Sequence, residues 1–292
     1  MQLIHFSEDG NSRIGVKTDR GILDLAKTAK ALSLPCPAYI DELVKDKEKL
    51  AQVSAILEQA DERTDASFYV SPEDITFLPV LSHPGKIICV GKNYKAHVAE
   101  TKSEIPKEPV IFSKFKNALA AHKEPIPIPP NASKVDYEAE LVVVIGATVS
   151  QAEPADALKY VAGYTVGNDV SARDWQHLSS QWLLGKTADK FAPIGPIFTT
   201  ADEVDPSNLD ISLKLNGEVR QNSNTKHFIF DIPTIISYVS KHFTLEAGDI
   251  IFTGTPDGVI LGHPKEDQVW LKAGDTTEIT IEGLGTLINT FK

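Results

Sequence analysis

Cysteine is scarce: the chain has two, Cys36 and Cys89, in 292 residues. That excludes a disulfide-stapled secreted scaffold and a cysteine-based zinc site, and two reduced structural thiols are expected. Positive charge is also in deficit, with 29 Lys and Arg against 40 Asp and Glu, a net charge of −11 with His neutral. Phosphate backbones and anionic membranes are repelled by such a chain, so no nucleic-acid or membrane partner is expected. No apolar run reaches the roughly 18 residues of a membrane-spanning helix. The opening MQLIHFSEDGNSRIGV has no basic start followed by an apolar stretch, so no secretory signal is expected and a cytoplasmic setting is the default. Asn131-Ala132-Ser133 is then a glycosylation sequon by spelling alone. Repeats and low-complexity segments are missing. So are the G-x-S-x-G, H-E-x-x-H and G-x-G-x-x-G signatures. Gly185-Lys186-Thr187 looks like the end of a phosphate loop, but Ser180 stands where that loop needs its first glycine. Residues 181–184 are also too bulky for a backbone cradle.

What is present suffices for a core: 42% of residues are hydrophobic and 24% charged, which excludes a disordered chain. Residues 1–6, 14–17 and 22–25 read as strands separated by the turns Asp9-Gly10 and Asp19-Arg20-Gly21. Apolar spacings of three and four predict one helix over 40–59, and 75–78 reads as a short strand. Residues 1–80 are thus expected to form a small α+β domain without a chemical constellation. Beyond it, strands are expected at 87–91, 110–114, 139–145 and 249–253, mostly extended chain at 161–170, and β-structure from 269 to 291. Helical composition marks 94–100, the end of a helix falls at 156–161, and a helix at 232–239 carries Pro233 in its first turn. The alternating prolines of 125–130 force extended backbone. Asn216-Gly217 predicts a hairpin turn. Many short strands with few helices suggest a β-rich roll or sandwich over 81–292.

The chemical signal is acidic. In Val135-Asp136-Tyr137-Glu138-Ala139-Glu140 the strand alternation points Glu138 and Glu140 to one side. Parallel carboxylates beside an apolar strand repel each other unless a cation sits between them. Asp169, in Gly167-Asn168-Asp169-Val170, adds a third at a strand end. Three carboxylates with open positions make a hard-oxygen site suited to Mg²⁺ or Mn²⁺. On a helix, His97 and Glu100 share a face, and a carboxylate beside an imidazole fixes its tautomer and raises its basicity. Alone, such a pair is also a common surface feature, as any of Lys114, Arg173 or Lys186 is a common surface charge. Thr253-Gly254-Thr255-Pro256-Asp257-Gly258 forms a tight turn whose Thr255 can offer a hydroxyl and an N–H to an anion.

Together these pieces resemble the fumarylacetoacetate hydrolase superfamily. The resemblance rests on Val90-Gly91-Lys92-Asn93-Tyr94 with His97 and Glu100, on Glu138-Ala139-Glu140, and on Asn168-Asp169-Val170-Ser171-Ala172-Arg173-Asp174. Lys186 ahead of Pro193-Ile194-Gly195-Pro196 and the turn from Thr253 to Val259 complete it, in the family order, over about residues 86–292. Residues 1–80 resemble the small variable N-terminal domain of many members. The resemblance implies an α+β, β-rich fold: a mixed β-sandwich roll, usually a homodimer. It implies Glu138, Glu140 and Asp169 as ligands of Mg²⁺ or Mn²⁺, His97 and Glu100 as a water-activating dyad on a lid, and Lys186 as a cation steadying an enolate or carboxylate. Lys114, Arg173, Gln176, Gly254 and Thr255 would surround a small anionic α-keto acid.

The expected reaction is hydrolysis of a C–C bond in an acylpyruvate-type substrate through an enolate that the cation stabilises. Decarboxylation of an oxaloacetate-like acid and isomerisation of a hydroxymuconate-like diacid share that enolate and stay open. Acylpyruvate-cleaving members often carry Arg where this chain has Lys92, and a lysine lacks the bidentate fork. A non-catalytic module binding metal or a small acid is the reading from another class; the His97–Glu100 pair weighs against it, because binding alone requires no base.

Overall fold

The computed structural model describes residues 1–61 and 66–292. The strand Ala139–Ile145 runs through its middle, and every residue of it is buried. Its sequence, AELVVVI, is β-branched and apolar on both faces, as a strand covered on both sides requires. It pairs antiparallel with Val161–Asn168 on one side and Ile250–Phe252 on the other. The latter pairs in parallel with Ile87–Gly91, which pairs antiparallel with Val110–Lys114. In the other direction Val161–Asn168 meets Ile197–Thr200, and that strand pairs with Gln2–Glu8. The strands Asn11–Thr18, Gly21–Asp24 and Tyr69–Val70 follow outward. Residues 1–80 therefore extend the same sheet as the rest of the chain, and Leu3, Val16 and Leu25 share one buried apolar cluster with Val142 and Ile251.

A four-stranded antiparallel sheet, Glu218–Asn224, Asp210–Leu215, Thr276–Ile281 and Gly285–Thr290, forms a second layer. Ile211, Leu213, Ile279 and Ile281 alternate inward and bury one face of it. Its hairpin turns at Asn216-Gly217, both with positive φ (52° and 84°), as the dipeptide predicts. The observed architecture is the β-rich α+β sandwich expected from the sequence.

Two local expectations fail. The single helix over 40–59 is two, Ile40–Lys45 and Lys47–Asp61. Asp46 is extended between them (φ −140°, ψ 106°), and its carboxylate accepts from Glu48 N at 2.9 Å, restarting the helix. The helix Leu25–Leu32 was not expected. Asp24 caps it through Lys27 N, and left-handed Ser33 ends it. The segment 154–160 is a 3₁₀ helix, and the helix at Pro233 runs to His242. Among the described residues, no helix is long and apolar enough to cross a membrane.

Candidate active site

The antiparallel register places Ala139 opposite Asn168, so the residues preceding one strand lie beside those following the other. Asn168 Oδ1 accepts from Glu138 N at 3.0 Å, and Asp169 N donates to Glu138 O at 2.9 Å. These bonds bring Asp169 to Glu138 and Glu140. One oxygen from each of the three buried carboxylates lies within 4.8 Å of the others.

Three buried cations surround the cluster. Lys186 Nζ lies 2.5 Å from Glu138 Oε2 and 2.9 Å from Asp169 Oδ2. Arg173 Nη2 lies 2.7 Å from Glu138 Oε1, while its Nε holds Asp136 at 2.9 Å. Lys114 Nζ lies 2.6 Å from Asp169 Oδ1. Burial by itself would raise Glu138, but the Arg173 and Lys186 charges outweigh it and hold its carboxyl well below the usual range. Glu140 goes the other way: burial, then Asp169 and Glu138, push it well above. Its partner is a backbone amide, Gly254 N at 2.7 Å on Oε2. Burial opposes the charge on Lys186, yet Asp169 and Glu138 raise it, whereas burial dominates at Lys114 and lowers it.

The expected pair forms on the short helix Lys95–Glu100, with His97 Nδ1 2.9 Å from Glu100 Oε1. An ionised carboxylate can only accept, so in neutral His97 the shared proton sits on Nδ1 and Nε2 keeps the lone pair. Glu100 Oε2 is fixed in turn by Gly258 N at 2.9 Å. Gly262 packs against the same carboxylate, where a Cβ would stand 2.4 Å from Oε2.

One cleft of about 590 Å³ is lined by His97, Glu100, Glu138, Glu140, Asp169, Arg173, Gln176, Lys186 and Thr255. Lys114 and Gly254, expected to touch substrate, are not on its wall. Lys114 stands behind Asp169, donating to Val170 O at 2.9 Å and Phe191 O at 2.6 Å. Gly254 commits its N–H to Glu140. Gln176 Oε1 accepts from Arg173 Nη1 at 3.0 Å, and Thr255 Oγ1 accepts from Gln221 Nε2 at 2.8 Å. Sequence reasoning missed Asp136, which is fully buried and accepts from Arg173, Tyr137 N, Ile260 N and Leu261 N. It anchors Arg173 against the cleft, and its place two residues before Glu138 was the available signal. Phe112, Trp182 and His177 on the wall carried no local signal.

The donor set fits a hard divalent cation. The three clustered donors are all carboxylate oxygens, as Mg²⁺ and Mn²⁺ favour. Asp169 Oδ1 is buried and faces Lys114 Nζ at 2.6 Å, the ammonium's other two hydrogen bonds going to carbonyls.

Comparisons with known proteins agree with this geometry. The family model for the C-terminal part of fumarylacetoacetate (FAA) hydrolase matches residues 86–292. A fumarylacetoacetate hydrolase domain-containing protein 2 homolog of Dictyostelium discoideum is 45% identical, over 97% of this chain and 93% of its own. The mitochondrial oxaloacetate tautomerase fahd2 of Xenopus laevis is 41% identical, over 99% of this chain and 89% of its own. The crystal structure of maleylpyruvate hydrolase from Sphingobium sp. SYK-6, in complex with manganese(II) and pyruvate, superimposes with a TM-score of 0.78 at 29% identity, covering 100% of this chain and 98% of that one. With its sheets, its acidic cluster and these relatives in agreement, the chain belongs to the fumarylacetoacetate hydrolase family and is an enzyme of it.

Proposed function

We propose that this enzyme interconverts the keto and enol forms of oxaloacetate or a closely related 2-oxo diacid, with a divalent cation as cofactor. The observation that carries the reading is the His97–Glu100 pair opening onto the same cleft as three clustered carboxylates. The 41% identity with an oxaloacetate tautomerase along nearly the whole chain supports the substrate class.

Glu138, Glu140 and Asp169 would hold Mg²⁺ or Mn²⁺, which when bound supplies Lewis-acid polarisation of a carbonyl oxygen. His97 Nε2 takes a proton from the carbon between the two carbonyl groups, breaking that C–H bond. Glu100 accepts from Nδ1–H and stabilises the imidazolium that forms. Proton return to the former keto oxygen gives the enol; return to carbon regenerates the ketone. Arg173 and Lys186 keep Glu138 ionised and add positive field where negative charge develops on the substrate.

Hydrolysis of an acylpyruvate is a second reading, favoured by the maleylpyruvate hydrolase likeness. There His97 would deprotonate water instead of carbon. Oxaloacetate keto–enol relaxation, oxaloacetate decarboxylation and acetylpyruvate cleavage, each followed by absorbance with and without Mn²⁺, test the assignment. Fast cation-dependent relaxation with slow cleavage supports the tautomerase; the opposite ranking establishes the hydrolase. Silence in all three assays despite cation binding would return the site to a binding module.

We place residues 1–80 as an accessory unit and 81–292 as the catalytic one, in agreement with the match over residues 86–292. Both cysteines are free, which supports a reducing aqueous compartment such as the cytoplasm, although the Xenopus relative is mitochondrial by name. The homodimer belongs to the same reading: Phe115 and Leu184 lie 55% and 57% exposed, beside the contact of Phe115 N with Thr187, and offer it an apolar surface.

A further inference from the structure

The cleft wall also carries charge that proton transfer does not use. Lys92, Lys102 and Lys265 all line it. Among the described residues, none of these three side chains has an ion-pair or hydrogen-bond partner. The buried cations of the same site, Lys114, Arg173 and Lys186, are each bound to carboxylates. In a chain of net charge −11, three unpaired lysines at one opening form a local anion-attracting rim.

Lys92 is the most constrained of them. Its φ is +58°, in the left-handed region that residues other than glycine adopt uncommonly. Gly91 before it lies so close to Trp182 that a Cβ would stand 2.7 Å from the indole. Asn93 after it is fully buried and locked, donating to Thr253 O at 2.8 Å and Phe230 O at 3.0 Å and accepting from Phe230 N at 2.8 Å. This turn delivers a half-buried lysine into the cleft. Its charge reaches His177, whose pKa is lowered by burial and then by Arg173, Lys186 and Lys92. Lys102 is left-handed too (φ 51°), but there the conformation ends the helix Lys95–Glu100, with Ser103 N on Val98 O at 3.0 Å.

We propose that Lys92 is a specificity-determining residue that binds the second carboxylate of a dicarboxylic 2-oxo acid, with Lys102 and Lys265 supplying the positive field around it. This rests on the reading of the cleft as a 2-oxo acid site. Glu138, Glu140 and Asp169 are buried, whereas Lys92 is half-buried and Lys102 and Lys265 are exposed, so the lysines stand on the solvent side, where the far end of an elongated substrate would lie. A cleft of about 590 Å³ leaves room for that end.

The test is calorimetric binding of 2-oxoglutarate and 2-oxopentanoate to the Mn²⁺-loaded protein. These acids have the same chain length and differ in the terminal carboxylate. The wild type should prefer the dicarboxylate by about tenfold or more, the scale of one charge-assisted hydrogen bond. Lys92→Met should remove most of that preference and leave 2-oxopentanoate affinity unchanged, while Lys92→Arg retains it. Met is unbranched like Lys and meets the same backbone restriction, so an unchanged thermal midpoint is expected. A wild type without preference, or a Lys92→Met variant that keeps it or weakens both acids equally, would overturn the proposal. A preference that Lys92→Met removes in a protein inactive on oxaloacetate would uphold this assignment and refute the tautomerase. Binding of neither acid would refute both.

Discussion

His97 and Glu140 illustrate how little of a side chain's chemistry is its own. In the proposed reaction His97 is directed as a base by Glu100 at Nδ1, and Gly258 N holds Glu100 in place. His97→Ala should lower oxaloacetate tautomerisation by about 10²–10⁴-fold, the usual worth of a positioned base, with Mn²⁺ affinity within a few-fold of wild type. Decarboxylation, which needs no proton abstraction from carbon, should persist. Glu140 is held protonated toward higher pH by burial, Asp169 and Glu138. A cation must displace that proton, so apparent Mn²⁺ affinity should rise with pH while Glu140 titrates, by up to about tenfold per pH unit. Mn²⁺ titrations at a series of pH values above the ordinary carboxylate range would show this, and a flat profile throughout would remove Glu140 from the ligand set. The acidic cluster was legible in the sequence because strand alternation couples Glu138 to Glu140. The Asp136–Arg173 pair was not, since its partners stand 37 residues apart and meet only through the fold.

At the scale of elements, strand pairing and tight turns assemble the site. The strands Ala139–Ile145 and Val161–Asn168 were both readable from apolar runs, but their register, which brings Asp169 to Glu138, is a long-range fact. Helix starts set by single side chains were missed: Asp24 caps Leu25–Leu32, and Asp46 divides the 40–61 segment. The helix Lys95–Glu100 is held against the loop around Gly262 by contact with Glu100. In Gly262→Ala the new methyl would meet the carboxylate, which can swing aside more easily than backbone. Turnover should fall by about 10²-fold, the order expected for an ångström-scale displacement of a catalytic group, with little change in thermal midpoint. Equal losses in both would mean that Gly262 serves packing alone.

On the scale of the whole molecule, residues 1–80 join the rest of the chain through one continuous sheet and a shared apolar cluster. His122 sits at that junction. Its ring packs edge-on against Phe77 with centroids 4.7 Å apart, and its Nδ1 accepts from Ile288 N at 3.1 Å. Burial, with Lys123, lowers its pKa to about 4. The folded protein thus disfavours the charged form: stability is unaffected while both states are neutral, falls as pH drops below about 6.5, and the loss is complete below about 4. His122→Gln should flatten this part of the thermal midpoint–pH curve; an unchanged acid limb would exonerate the junction. The net charge of −11 hides an interior where three cations sit against four carboxylates, counting Asp136. The most direct test of the account is keto–enol relaxation of oxaloacetate by chelator-treated enzyme as Mn²⁺ is added back. The account predicts negligible activity at the start, recovery saturating at one ion per chain, and no recovery in Glu140→Gln. Full activity in the chelated enzyme, or normal recovery in that variant, would contradict it.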